Sequence, residues 1–226
     1  MTSADTVLCD ALRSFLAPGE VVYLHGLESS PRGAKGTWLR DRLGADGVDL
    51  DTSVAREVLA EARAAGRSLD LAGEMERAFA VPMERVRARL AQKPVPKLLI
   101  GSSFGGAVLL RLMAEGTWMG PALFLACAGV ALTRERTLPE GSRALLIHCP
   151  EDEVVPISGS QLLARSGGRD VHLMVVSEEH EPHRLPSILT NGVLGAAIAW
   201  LLQPLSAARG AELCVDLCEA PSGGTP

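Results

Sequence analysis

The chain has 226 residues, of which 47% are hydrophobic and 22% are charged, and this balance is typical of a folded globular protein rather than a disordered one. Its net charge of −5 and its lack of a long basic block argue against nucleic acid or an anionic membrane as the main partner. No apolar run approaches about 20 residues, and the first residues lack the basic and apolar regions of a secretory signal, so we expect neither a membrane span nor secretion.

Short apolar runs alternate with segments of helical periodicity along the chain. Up to residue 91 this pattern predicts helices at 2–16, 34–43, 53–65 and 70–91, and strands at 20–24 and 48–51. Gly66 separates the last two helices, and Pro82 is expected to break or kink the second of them. The alternating acids of residues 48–51 indicate that this strand is more exposed than the others.

The same alternation continues from residue 97 onward. It predicts strands at 97–102, 122–127, 144–148 and 171–176, and helices at 104–115, 158–166 and 185–202. Because the strand runs are continuously apolar, we expect an α/β fold with a mostly parallel sheet of about six strands and helices on both faces. Residues 1–203 are predicted to form one domain, and residues 204–226 a flexible tail.

The cysteines and glycines give no sign of a metal or nucleotide cofactor. The five cysteines are odd in number and have no compact spacing, so we expect mostly reduced thiols in a cytoplasmic protein. Cys214 and Cys218 are two thiols without a nearby histidine, which is too few ligands for a zinc site. The chain has no phosphate-binding P-loop motif and no G-x-G-x-x-G, so no cofactor is expected.

Residues 101–105 read Gly-Ser-Ser-Phe-Gly and match G-x-S-x-G, the nucleophile elbow. This motif would place Ser103 on a sharp strand-to-helix turn, where side chains at Gly101 and Gly105 would collide with the backbone. The turn also aims the start of the following helix at Ser103, which favours negative charge there. The alternative is a small-residue helix start that serves only close packing of helix and strand.

A serine hydroxyl needs a base and an orienting acid to become a nucleophile. In hydrolases with this elbow, the chain order is nucleophile, acid, base, and the residue after the nucleophile supplies one oxyanion N–H, here that of Phe104. An acidic loop, 149–156, follows the strand at 144–148, and a loop with His180 and His183 follows the strand at 171–176. Both loops are expected at the carboxyl ends of strands, where functional loops of parallel sheets cluster.

Three segments resemble the alpha/beta-hydrolase family. Residues 148–156 are similar to its H-G-x-x-D-x-x-V-P segment, with Cys149 where the family usually has glycine. Residues 23–32 with Lys35 resemble the Y-L-H-G-(apolar)-x-S-S-P segment of small bacterial esterases, and residues 183–185 resemble the H-R-hydrophobic ending of small hydrolases and acyl-protein thioesterases. The resemblance covers residues of about 20 to 202 and implies an alpha/beta-hydrolase fold with a minimal lid.

The resemblance assigns a role to each candidate residue. It implies Ser103 as nucleophile and Asp152 as acid, with Glu151 or Glu153 as fallback, and it favours His183 as base over His180. It also maps the second oxyanion donor onto the N–H of Leu27, while His25 is expected to anchor that loop and Trp38, Trp118 and Met119 are candidates for an acyl pocket.

These roles together predict a serine hydrolase that cleaves a small-molecule carboxylic ester or thioester through an acyl-enzyme intermediate, without a cofactor. Two alternatives remain at this stage: an amidase or peptidase with the same triad, and a catalytically silent binding module of the same fold. The physiological substrate and the oligomeric state are left open.

Overall fold

The computed structural model describes residues 3–65 and 70–203, and its central feature is a parallel sheet. The described residues form six strands in the order β2-β1-β3-β4-β5-β6, and every neighbouring pair is parallel. The strands are β1 (Val21–Leu24), β2 (Asp46–Val48), β3 (Leu98–Ser102), β4 (Ala122–Leu125), β5 (Ala144–His148) and β6 (Val171–Val175). The predicted sheet is therefore confirmed, including its number of strands.

Helices of the described ranges cover both faces of this sheet, as the sequence predicts. They are α1 (Ser3–Phe15), α2 (Ala34–Leu43), α3 (Ser53–Ala65), α4 (Leu71–Leu90), α5 (Phe104–Ala114), α6 (Gly129–Leu132), α7 (Ser158–Ser166) and α8 (Val193–Leu202). No helix in the described parts of the chain has the length and apolar character needed to cross a bilayer.

Two apolar cores lie on opposite faces of the sheet, and the strands alternate between them. In β3, Leu98 and Ile100 point into the core shared with α1, α2 and α8, whereas Leu99 points into the core shared with α3, α4 and α5. This alternation follows from strand geometry, in which successive side chains project from opposite faces. Because both faces are covered, every position of β1, β3, β4 and β5 is buried, which explains their continuous apolar runs.

The strand predicted at 48–51 is displaced in the structure. β2 spans Asp46–Val48, and the chain then turns away from the sheet, with Asp51 at a φ of 50°. The backbone N–H of Leu50 donates to the His25 ring rather than to a neighbouring strand. Leu50 is buried in the core although it lies outside the strand. The prediction included it in the strand because it is apolar.

The helix predicted at 185–202 is wrong over its first part, because α8 begins only at Val193. Two short 3-10 turns, Pro182–Arg184 and Ser187–Leu189, precede it. Leu185 has a φ of 49° and Gly192 a φ of 81°, and such left-handed values interrupt a right-handed helix. His183 therefore lies in a 3-10 turn and not at the start of the last helix.

The break predicted at Pro82 is also wrong, since α4 runs from Leu71 to Leu90 as one helix. Pro82 is buried beside Phe79 and Met83, so packing offsets the backbone hydrogen bond that proline cannot donate. The predicted separation at Gly66 and the predicted tail at 204–226 lie outside the described residues.

α4 supports α5, the helix that begins directly after the candidate nucleophile. The rings of Phe79 and Phe104 stack with centroids 5.4 Å apart. On the same pair of helices, the Arg111 guanidinium donates two hydrogen bonds of 2.7 Å to the Glu76 carboxylate. α4 therefore packs against α5 both at its first residue and in its last turn.

Two glycine-to-alanine changes in helices should have opposite effects on stability. A Cβ at Gly105 would lie 2.1 Å from the carbonyl oxygen of Leu24, so Gly105→Ala should lower the free energy of unfolding by about 3 kcal/mol or more. A Cβ at Gly195 in α8 would meet ordinary contacts at 3.6 Å and beyond, so Gly195→Ala should raise stability by up to about 1 kcal/mol. Denaturant titration of both variants measures this, and equal changes in the two would contradict the packing described.

Candidate active site

Ser103 joins β3 to α5 in a strained conformation, with φ of 51° and ψ of −111°. A positive φ is costly for a residue with a side chain, so surrounding contacts must hold it. The backbone N–H of Ser103 donates to Leu125 O at 2.9 Å, and its carbonyl accepts from the N–H groups of Ala107 and Ala128, each at 3.2 Å. The turn is therefore fixed by both the neighbouring strand and its own helix.

The flanking glycines are needed because backbone approaches them closely. A Cβ at Gly101 would lie 2.6 Å from Gly105 O, and one at Gly105 would collide with the end of β1. Removing these side chains lets the start of α5 pack directly on the end of β1, as the motif predicts. Ser103 itself is half-buried at this junction.

A thiol near the elbow does not compete with Ser103 as a nucleophile. Cys127 lies beside Gly106, with its Sγ 3.1 Å from where a Cβ at that glycine would be. Burial raises the pKa of the Cys127 thiol to about 12, so the thiol stays protonated near neutral pH. Its sulfur also accepts the N–H of Gly129.

The loop after β1 lies against Ser103. A Cβ at Gly26 would be 3.3 Å from the Ser103 Cβ and 3.9 Å from its Oγ. In the described residues, the N–H of Leu27 has no hydrogen-bond partner. The N–H of Phe104 also has none, because it belongs to the first residue of α5. Both predicted oxyanion donors are thus unpaired on the two segments that flank the serine.

His25 holds this loop and is unavailable as a base. Its Nε2 accepts the backbone N–H of Leu50 at 3.1 Å, so the proton of the neutral ring is on Nδ1. Nδ1 then donates to Gly26 O at 2.8 Å. With both ring nitrogens in use and the side chain buried, His25 has the anchoring role that the sequence predicts.

Asp152 is the buried member of the acidic loop after β5. Its Oδ1 accepts the N–H groups of Val154 and Val155 at 2.9 and 2.8 Å. Its Oδ2 is buried and has no hydrogen-bond partner among the described residues. The neighbouring Glu151 and Glu153 are exposed, so Asp152 alone of the three presents an oriented oxygen that lacks a donor.

His148, the last residue of β5, holds the acidic loop through hydrogen bonds of its ring. Its Nε2 donates to Val155 O at 2.7 Å, which leaves Nδ1 to accept the Ser160 hydroxyl at 2.7 Å. Burial lowers the pKa of His148, so the ring is neutral. It lies 3.6 Å from Asp152 Oδ2 but gives its proton to the carbonyl instead.

Cys149, which departs from the family pattern, is accommodated without disturbing Asp152. The side chain is fully buried, and its thiol donates to Glu151 Oε2 at 2.9 Å. Burial raises the pKa of the Cys149 thiol. The Glu151 carboxylate thus already accepts a hydrogen bond on Oε2, whereas Asp152 Oδ2 has no donor among the described residues.

The two candidate bases lie on a loop that Glu178 closes. The buried Glu178 accepts the N–H and the hydroxyl of Ser187 on one oxygen, at 3.0 and 2.6 Å. Within this loop, His180 is exposed, while His183 is partly buried and two residues before the fully buried Leu185. The sequence gives no signal for Glu178, because its contact depends on the turns after β6.

Lys35 connects the loop after β1 to the histidine loop. Its side chain is partly buried, and burial together with the positive charge of Arg184 lowers the pKa of Lys35 to about 8, against the opposing charge of Glu178. The esterase-like segment of the sequence, which ends at Lys35, therefore lies near the loop that carries His183.

The structure places Ser103, Asp152 and both histidines at the carboxyl ends of β3, β5 and β6, along one edge of the sheet. Among the described residues, no hydrogen bond joins the serine hydroxyl, either of these two imidazoles or Asp152 Oδ2. Catalytic hydrogen bonds are often long in the absence of substrate and shorten when it binds.

Two residues considered for an acyl pocket lie elsewhere. Trp118 and Met119 precede β4 at the amino-terminal edge of the sheet, opposite Ser103. The Trp118 indole donates to Pro121 O at 3.1 Å, and the ring lines a groove with Phe15 and Gln203. The prediction is wrong for these two because the helix α5 carries the chain to the other edge before they occur.

No protein-family model matches this chain, and no curated protein matches it. Solved structures do match. A protein of Xanthomonas campestris pv. campestris described as a hydrolase of the alpha/beta superfamily is 23% identical, with a TM-score of 0.51 over 79% of this chain and 96% of that one. A YdeN-like hydrolase of Pectobacterium atrosepticum is 17% identical, with a TM-score of 0.55 over 88% and 100%.

A dienelactone hydrolase of Anabaena variabilis is 19% identical, with a TM-score of 0.55 over 83% of this chain and 88% of that one. These similarities, together with the parallel sheet and its helices, show that the chain has the alpha/beta-hydrolase fold. At such identities the likeness concerns the fold, and the chemistry has to be argued from the site.

Proposed function

We propose that this protein is a serine hydrolase that cleaves small-molecule carboxylic esters or thioesters, with Ser103 as the nucleophile. The observation that supports the proposal is the strained turn of Ser103, which lies against the loop after β1 and directly before α5. Among the described residues, the N–H of Leu27 in that loop and the N–H of Phe104 at the start of α5 have no hydrogen-bond partner. Strain of this kind is retained where surrounding structure and function require it. Two such donors are what a developing oxyanion needs.

The proposed reaction has two steps. Ser103 Oγ attacks the acyl carbonyl while its proton passes to the base, and the negative charge on the carbonyl oxygen is bound by the N–H groups of Leu27 and Phe104. The tetrahedral intermediate then releases the alcohol or thiol, which takes the proton from the base. Water, deprotonated by the same base, attacks the acyl carbonyl. The bond from this carbon to Ser103 Oγ then breaks, Oγ takes the proton back from the base, and the acid is released. None of these steps uses a cofactor.

Asp152 is the proposed acid. A base that cycles between neutral and charged forms needs a carboxylate to hold its ring and stabilise its charge. Asp152 Oδ2 is buried and without a donor, and an imidazole N–H would satisfy it. Glu151 and Glu153 are exposed, and Glu151 already accepts the Cys149 thiol.

His183 is the proposed base. It is partly buried and held close to the anchored Leu185, whereas His180 lies in an exposed stretch beside Glu179 and Glu181. The loop that carries both is closed at its base by the hydrogen bonds between Glu178 and Ser187, and it follows β6, the strand next to the one that leads to Asp152. His180 is the second choice.

A fluorophosphonate probe tests the nucleophile. The wild-type protein should carry one adduct, which peptide mapping assigns to Ser103, and Ser103→Ala should carry none because the reacting oxygen is absent. Ser102→Ala is the matched control, since Ser102 is the other serine of the motif and its side chain is hydrogen-bonded to the buried Tyr23. That variant should still be labelled at Ser103.

An unlabelled but folded wild-type protein would contradict the proposal. A shift in melting temperature with an acyl ligand, without turnover, would then favour the binding-module alternative. An adduct on any residue other than Ser103 would contradict the assignment of the nucleophile.

The two histidine variants separate the candidate bases. His183→Ala should lower kcat for an activated ester by about 1000-fold or more, because Ser103 then has no group to take its proton. His180→Ala, three residues away on the same loop, should change kcat less than about threefold. The reverse result would assign the base to His180, and similar small losses in both would reject a histidine base on this loop.

A further inference from the structure

The carbonyl of Leu27, one of the two proposed oxyanion residues, accepts three side-chain hydrogen bonds. Arg56 Nε and Nη2 donate to it at 3.1 and 2.8 Å, and Thr52 Oγ1 donates at 3.1 Å. Both donors come from the segment that follows β2 and begins α3. Two side chains therefore hold this oxygen, Arg56 through two N–H groups and Thr52 through its hydroxyl.

The peptide unit before Leu27 is held as well. The Gly26 carbonyl accepts His25 Nδ1–H at 2.8 Å and the Ser29 N–H at 3.2 Å. A peptide unit is planar and trans, so fixing the Gly26 carbonyl also fixes the opposite direction of the Leu27 N–H. With the peptide units on both sides of the Leu27 Cα held, the direction of its N–H is set from both ends.

The segment that provides these donors is itself braced by α4. Arg85 donates to the Asp49 backbone carbonyl at 2.9 Å and pairs with the Asp51 carboxylate at 3.4 Å. Asp51 has a φ of 50°, and the next residue, Thr52, is buried. The segment from β2 to α3 thus holds the loop after β1 through its hydrogen bonds to Leu27. This segment lies beside the site rather than in it.

Arg56 forms no ion pair with the described residues. No carboxylate of the described residues lies within 4 Å of its guanidinium, although the side chain is exposed and acids are common on α3. Other arginines of this region, such as Arg77, pair with a carboxylate. The guanidinium of Arg56 is instead directed at a single backbone oxygen.

We propose that Arg56, assisted by Thr52, is a positioning residue for the oxyanion hole, acting through the Leu27 carbonyl on the direction of the Leu27 N–H. This inference rests on the proposed function, in which that N–H binds the oxyanion. Neither side chain touches the substrate. Because the oxyanion forms only during reaction, loss of this positioning affects the reaction step and not the binding of the ester.

The test measures kcat and KM for an activated ester together with Ki for a trifluoromethyl ketone. The ketone forms a reversible bond with the serine oxygen while the serine proton passes to the base, and its oxyanion occupies the same two N–H groups. Arg56→Ala should lower kcat by about 10- to 100-fold, change KM less than about threefold, and raise Ki by the same factor as the loss in kcat.

Two further variants guard against a trivial folding defect. Arg56→Lys keeps the charge but can donate only one such hydrogen bond, so it should lose part of the activity, and Thr52→Val keeps the shape and should lose less than Arg56→Ala. Arg77→Ala removes an exposed ion pair with Glu61 at 2.7 Å between α3 and α4, and it should leave kcat, KM and Ki unchanged. Melting temperatures are measured for all variants.

Wild-type kcat and Ki in folded Arg56→Ala, with Ser103→Ala inactive, would overturn this inference and leave the proposed function intact. A rise in KM alone would also overturn it, because Arg56 would then act on substrate binding. A wild-type protein that neither cleaves the ester nor binds the ketone would overturn the proposed function and this inference with it.

Discussion

The close approach of α5 to the end of β1 is the constraint on which the rest of the site depends. At Gly105 there is no room for a side chain beside the Leu24 carbonyl, and Ser103, two residues earlier, has a positive φ of 51°. The loop after β1 also lies against the serine, so the candidate nucleophile, the start of α5 and that loop meet at one junction. Core burial on both faces of β3 supplies the stability that holds this strained turn.

The hydrogen bonds and ring contacts of the histidines separate three with structural contacts from the two candidate bases. Of the five in the chain, His25 and His148 have both ring nitrogens in hydrogen bonds, and His172 packs edge-on against Trp200 at 5.1 Å on β6. His180 and His183 remain, and both lie on the loop after β6. The hydrogen-bond partners of His25 and His148 assign the tautomers of these two rings and exclude both as the base. This exclusion uses the structure alone and no comparison with other proteins.

The strand and helix order, the parallel sheet and the loops that carry the candidate residues follow from the sequence, because periodicity and buried apolar runs depend on local residue choice. The position of β2 and the late start of α8 do not follow from the sequence. Leu50 is apolar because it packs in the core and not because it lies in a strand, and Leu185 has a left-handed backbone conformation that its side chain does not reveal. Arg56 and Glu178 could not be identified from sequence at all. Arg56 donates to a carbonyl 29 residues earlier, and Glu178 accepts from Ser187 only because of the turns after β6. Both contacts depend on the folded chain and not on a local sequence pattern.

In the proposed mechanism, Ser103, the two N–H groups and the histidine that Asp152 orients act as one reactive unit. A crystal structure of the phosphonylated protein tests it most directly. We expect the phosphonyl oxygen within about 3 Å of both the Leu27 and Phe104 nitrogens, and the His183 ring donating to Asp152 Oδ2. A phosphonyl oxygen turned away from both nitrogens would rule out the proposed oxyanion hole, and an Asp152 Oδ2 that still lacks a donor would rule out Asp152 as the acid.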